Sequence, residues 1–159
     1  MRRRQFLGRL VGGAASAAAV GRAAWAADGE YPVTRTDAEW RALLSPEAYA
    51  VLRQNATEAA FSHPYHDLKD AGTYHCAGCE APVYASKDKF ASGTGWPAFD
   101  RPIEGQIIEG PDPVYGAFLP EVHCATCGSH MGHVFADGPE ETTGRRHCIN
   151  GHGLDFRAA

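Results

Sequence analysis

Two copies of one four-residue motif constrain this chain more than anything else in it. Cys76-Ala77-Gly78-Cys79 and Cys124-Ala125-Thr126-Cys127 are C-x-x-C knuckles, with residues 80–123 between them. Four thiolates are what a closed tetrahedral zinc site requires, so the fold must bring two distant loops together. The separation exceeds the roughly 15–20 residues of a compact zinc ribbon, and a strand-rich segment therefore has to lie between the knuckles. Gly78 and Gly128 ease the two turns. The alternative for the same residues is a pair of disulfides, which an oxidising compartment permits. Spacing favours zinc: one structural ion per chain on Cys76, Cys79, Cys124 and Cys127, contributing to folding and taking no part in a reaction.

A fifth cysteine is left over. Cys148 lies in the run Arg145-Arg146-His147-Cys148-Ile149-Asn150. It is either buried and inert or a free thiol that does chemistry. Basic neighbours at Arg145, Arg146 and His147 favour the thiolate, the reactive form. On a strand, Arg146 and Asn150 share the face of Cys148, one as a stabilising cation and the other as a neutral hydrogen-bonding group. Upstream, His130 and His133 flank Met131-Gly132, and either imidazole can serve as proton donor or base near neutral pH. Each of them taken alone is equally well a structural histidine. The loop Ser92-Gly93-Thr94-Gly95-Trp96-Pro97-Ala98-Phe99 is stiff and presents an indole, which lines a pocket or packs in a core.

The first residues read as an export signal. Arg3-Arg4-Gln5-Phe6-Leu7 is a twin-arginine pair with an apolar step, followed by a weakly apolar stretch and the small-x-small cleavage form Ala24-Trp25-Ala26. Residues 1–26 are expected to be removed, leaving a periplasmic chain exported already folded and metal-loaded. The apolar run is shorter than the ~20 residues that span a bilayer, so no membrane anchor is expected after cleavage. Residues 27–35 form a lead-in, and residues 36–159 are one domain, enough for a single core. Residues 1–26 hold five of the fifteen basic residues and none of the nineteen acidic ones, which leaves ten against nineteen, a formal −9. That balance repels a phosphate backbone and argues against nucleic acid as a partner.

Thr36-Asp37-Ala38-Glu39 is a capping box, with Trp40, Leu43 and Leu44 following at helical spacing. Ser45-Pro46 starts a second helix that buries Tyr49 and Leu52. After about residue 60, short apolar runs alternate with Gly and Pro. Strands are predicted over Thr73–Cys76, Pro82–Tyr84, Gln106–Ile108, Val114–Leu119, Val122–Cys124, Gly132–Phe135, His147–Asn150 and Leu154–Phe156, with a turn at Asp137-Gly138-Pro139. The reading is two helices leading into an antiparallel β domain.

The segments Phe90–Phe99, the two knuckles, Gly128–Phe135, Asp137-Gly138-Pro139 and Arg146–Asn150, in this order, resemble the methionine-R-sulfoxide reductase B family. The resemblance covers about Thr36 to Phe156. It implies a mainly β fold, two antiparallel sheets in a tent-like arrangement with short N-terminal helices and zinc at the edge. It implies thiol-dependent reduction of the R epimer of methionine sulfoxide in proteins and peptides, which for an exported chain means repair of oxidised exported proteins. By the same likeness, Cys148 would attack the sulfoxide sulfur and become a sulfenic acid. His133, with His130 beside it, would protonate the departing oxygen. Arg146 and Asn150 would position the thiol and polar substrate atoms, and Trp96 and Phe135 would receive the substrate side chain. Thr94 occupies the place where many members carry a resolving cysteine, so the reductant would be external, a thioredoxin-like partner or a small thiol. Two other readings use the same residues. A zinc-stabilised binding module would have no need of Cys148 or the histidine pair, and a zinc hydrolase using His130 and His133 lacks a third ligand at the required spacing.

Overall fold

The computed structural model describes residues 31–159. The export signal expected over residues 1–26, and residues 27–30 of the lead-in, lie outside the described residues. Two short helices come first. In α1 (Asp37–Leu43) the Thr36 hydroxyl accepts from the Glu39 N–H at 3.3 Å while the Glu39 carboxylate accepts from the Thr36 N–H at 2.7 Å, which satisfies both orphan amides. In α2 (Pro46–Gln54) Ser45 accepts from the Ala48 N–H at 3.1 Å, and Asn55 ends the helix in the left-handed region at φ 56°. Trp40 of α1 and Ala48, Tyr49, Val51 and Leu52 of α2 are buried. Leu43 stays 53% exposed, because α1 stops there and Leu44 is already extended.

Among the described residues nine strands follow: β1 (Gly72–Cys76), β2 (Pro82–Ala85), β3 (Lys89–Phe90), β4 (Ala98–Phe99), β5 (Ile107–Asp112), β6 (Gly116–Cys124), β7 (His130–Phe135), β8 (Arg146–Ile149) and β9 (Leu154–Ala158). They form two antiparallel sheets, β2-β1-β9 and β3-β4-β8-β7-β6-β5. Tyr74, Val83 and Tyr84 from the small sheet meet Phe99, Val122, Met131 and Ile149 from the large one, all fully buried. Tyr84 stacks on Phe99 at 4.4 Å and Tyr74 meets the same ring edge-on at 5.1 Å, so one aromatic cluster joins the sheets. No helix among the described residues is long and apolar enough to cross a membrane.

The observed strands differ from the expected ones in one useful place. Val114–Leu119 and Val122–Cys124 were expected as separate strands, but Gly116–Cys124 runs as one, with Pro120 inside it. Pairing with β7 spans only Glu121 to His123, so Pro120 faces β5 alone and its missing N–H breaks no bond to β7. Val114 and Tyr115 fall in the turn instead, their N–H groups donating to Asp112 Oδ1 at 2.6 and 2.7 Å. The two-residue strands β3 and β4 carry no periodicity for a sequence to display.

Candidate active site and metal centre

Each knuckle hangs from the end of a strand, Cys76 closing β1 and Cys124 closing β6, one in each sheet. The two turns share a geometry. Glu80 N–H donates to Cys76 O and Gly128 N–H to Cys124 O, both at 2.8 Å, and Glu80 and Gly128 are left-handed at φ 63° and 67°. Gly128 therefore serves its turn as expected. Gly78 does not; a Cβ there would lie 3.3 Å from the Trp40 ring, so its value is clearance. The lead-in packs on both loops: Val33 N–H donates to Thr126 O at 2.9 Å, and Arg35 reaches Gly78 O at 3.5 Å.

The four Sγ atoms lie within 4.8 Å of one another, with Cys76–Cys127 at 3.7 Å and Cys79–Cys124 at 3.6 Å. A tetrahedron with zinc–sulfur bonds of about 2.3 Å has edges of about 3.8 Å. Disulfide sulfurs would be at about 2.05 Å. Hydrogen bonding with Cys124 first, then Cys127, pushes the Cys76 and Cys79 thiols up, and bonding from Cys124 and Cys76 pulls Cys127 down. The cluster thus shares protons that a dication would displace. Donor type, spacing and burial fit a structural zinc.

A second set of residues converges on a cleft of about 120 Å³ lined by Thr57, Trp96, Gly132, His133, Phe135, Cys148 and Asn150. Antiparallel pairing of β7 with β8 puts His133 directly across from Cys148. The strands approach so closely that a Cβ on Gly132 would lie 2.0 Å from the Cys148 carbonyl oxygen. Asn150 is fixed at both ends of its amide, Nδ2 donating to Met131 O at 3.1 Å and Oδ1 accepting from Glu58 N–H at 3.0 Å. The indole of Trp96 is held by its N–H donating to Glu58 O at 3.1 Å. Arg146 lies over the Phe135 ring at 4.3 Å and forms a bidentate pair with Asp137, both bonds 2.9 Å.

Burial acts against the Cys148 thiolate that the basic neighbours were expected to favour. Burial pushes its thiol up; Arg146, by charge and by hydrogen bond, and the Thr94 hydroxyl pull it down without winning. His147 does not help, because its side chain points to the opposite face, 3.2 Å from the Tyr84 hydroxyl, and burial lowers it to about 4. Arg145 is spent on Glu109. Arg146 alone of the three basic neighbours acts on the thiol. Arg146→Ala should therefore move the pH midpoint of Cys148 alkylation by iodoacetamide upward, since the thiolate loses its cation. The rate at neutral pH should fall by about tenfold per unit of that shift. An unchanged or lower midpoint would remove Arg146 from this role.

His130 is not in the cleft. It lies beneath His133, ring centroids 5.4 Å apart, 2% exposed, and burial lowers it to about 3. Two residues with no sequence signal complete the site. Asp112 Oδ2 lies 2.9 Å from His133 Nε2 and orients that ring. Burial works against the Asp112 charge, but the Tyr115 N–H, His133 and the Val114 N–H hold its carboxyl below the ordinary value. Glu58 ties the cleft wall together: besides its bonds to Asn150 and Trp96, its carboxylate accepts from the Gly151 and His152 N–H groups at 2.8 and 2.9 Å. The arrangement joins a thiol, an oriented imidazole and an apolar wall in one small space.

Comparison with known proteins agrees with that chemistry. The family profile described as the SelR domain matches residues 44–158. The chain is 45% identical over 125 residues to a protein named peptide methionine sulfoxide reductase MsrB from Agrobacterium fabrum, covering 78% of this chain and 92% of that one. It is 49% identical over 125 residues to a protein of the same name from Methylibium petroleiphilum, with 78% and 90% covered. A third, from Burkholderia mallei, is 46% identical over 132 residues, with 82% and 92% covered.

Proposed function

The chain belongs to the SelR domain family, that of the peptide methionine sulfoxide reductases MsrB, and from that membership we propose how its cleft reduces methionine sulfoxide in peptides and proteins. The observation that carries the reading is the pairing of Cys148 with His133 across β7 and β8, in a cleft walled by Trp96.

A sulfoxide sulfur resists attack until its oxygen gains a proton, so nucleophile and acid must converge. The Cys148 thiolate bonds to the sulfoxide sulfur while His133, held by Asp112, protonates the oxygen. The sulfur–oxygen bond then breaks, the oxygen passes to Cys148 as the bond between the two sulfurs breaks, and methionine leaves; the sulfoxide has gained two electrons and Cys148, having lost two, has become a sulfenic acid. One external thiol condenses with the sulfenic acid, releasing water and leaving a mixed disulfide. A second thiol frees Cys148 and carries away the disulfide. A thioredoxin-like protein or a small thiol fits that part. The zinc held by the four cysteines would supply the cross-link between the sheets and no chemistry in the cleft. The twin-arginine pattern in residues 1–26 supports a periplasmic setting, where the reaction would repair oxidised exported proteins.

Membership of the family supports the R epimer as the substrate, and one placement of it in the cleft fits that preference. With the methyl group against Trp96 and the oxygen toward His133, the mirror arrangement at sulfur turns the oxygen away from its acid. The test is turnover of separated R and S epimers of a methionine-sulfoxide peptide with dithiothreitol as reductant. Only the R epimer should be consumed; comparable turnover of the S epimer would overturn the assignment.

A further inference from the structure

Directly behind His133 the sheet holds a second group of metal-ligand side chains, whose Glu121 also comes within 4.8 Å of the ligand atoms of His133 and Asp112. We propose that Glu121, His123 and His130 form a binding site for a divalent transition-metal ion, separate from the four cysteines.

The three residues come from adjoining strands. Glu121 and His123 are two apart on β6, and His123 is paired with His130 of β7. One ligand atom from each lies within 4.8 Å of the others, and all three residues are buried. His123 Nε2 is 2.9 Å from Glu121 Oε2, and His130 Nδ1 is 3.5 Å from Glu121 Oε1. Tetrahedral nitrogen and oxygen ligands about 2.0–2.1 Å from a metal stand about 3.3 Å from each other, and these two separations bracket that edge. The second observation is His130 itself. It is 2% exposed, yet neither ring nitrogen has a hydrogen-bond partner among the described residues, an uncommon state for buried polar atoms. A metal on Nδ1 would satisfy the nitrogen aimed at Glu121.

The surroundings are those of ligands already oriented. His123 Nδ1 faces the Gly128 carbonyl at 3.3 Å, which turns Nε2 toward the carboxylate. Asn55 donates its amide to Glu121 Oε1 at 3.2 Å. Backbone carbonyls and amides of this kind fix metal-bound imidazoles and carboxylates. Two imidazoles and one carboxylate suit zinc, cobalt, nickel or copper better than magnesium or calcium, and water would complete the coordination.

The test is titration of the full, untagged chain, its four cysteines already zinc-loaded, with Co²⁺ alone. One further equivalent should bind, giving weak visible bands and no intense near-ultraviolet band from thiolate coordination. His123→Asn should weaken that equivalent by at least about tenfold and leave the zinc in place. Should that variant fail to fold, ring-nitrogen NMR of the unsubstituted chain during Zn²⁺ addition gives the same answer, with shifts expected on His123 and His130. No further equivalent at millimolar Co²⁺ would overturn the site. So would an unchanged affinity in His123→Asn, a thiolate band from exchange into the knuckles, or NMR shifts confined to His133.

Discussion

Cys148→Ser should lower methionine-sulfoxide reduction by about four orders of magnitude or more, the scale seen when an enzyme loses its nucleophile. The melting temperature and zinc content should stay close to those of the unsubstituted protein. Serine is nearly the shape of cysteine, and the half-buried position tolerates a hydroxyl beside Thr94. What it lacks is an ionisable, polarizable sulfur that can take oxygen and return it. The same experiment has a companion in the unsubstituted chain. Given excess substrate and no reductant, it should release about one methionine per chain and leave a dimedone-reactive Cys148, a single turn of the cycle. Thr94 stands against the sulfur where a second thiol would be needed, and the other cysteines belong to the metal cluster. Residual turnover in Cys148→Ser would move the nucleophile elsewhere. A fast disulfide from Cys148 to Cys76, Cys79, Cys124 or Cys127 with zinc release would place the metal centre inside the cycle.

What could be read from the chain depended on how local its cause was. The capping box at Thr36 and the Ser45-Pro46 start are satisfied within four residues, so both helices were visible. The knuckles announced themselves by residue type, and the alternation of Arg146, Cys148 and Asn150 assigned their common face. The register that sets His133 across from Cys148 belongs to a pairing between separate strands, and the clearance at Gly132 is its trace. Asp112 and Glu58 were invisible for the same reason: their partners in the site lie 21 residues away for Asp112 and 38 to 94 for Glu58. The expectation that basic neighbours would favour the Cys148 thiolate holds for Arg146 alone, because burial, which no list of neighbours contains, opposes the charge and strand alternation turns His147 away. His130 does lie beside His133, as the resemblance implied, but its ring is almost fully buried and does not line the cleft.

Removing the metal should unfold the domain rather than alter its selectivity. Zinc bound to four thiolates is worth about 10–16 kcal/mol in small metal-dependent folds, whereas a whole domain is stable by only about 5–15 kcal/mol. Here the ion would join the end of β1 in one sheet to the end of β6 in the other. The sulfurs of Cys76, Cys124 and Cys127 are almost fully buried, so without a cation they must either keep protons or repel. Stripping the reduced protein with a strong chelator should abolish its cooperative melting transition and its near-ultraviolet circular dichroism, and added Zn²⁺ should restore both. Cys124→Ser should give the same unfolded state at any zinc concentration that keeps the unsubstituted chain folded, because a serine oxygen replaces a thiolate at a position with no exposure. The aromatic contacts of Tyr74 and Tyr84 with Phe99 would then be the main remaining link between the sheets. A reduced, metal-free chain that melts within a few degrees of the zinc-loaded one would show that this aromatic core suffices. A native mass corresponding to two disulfides would replace the metal cross-link with covalent ones.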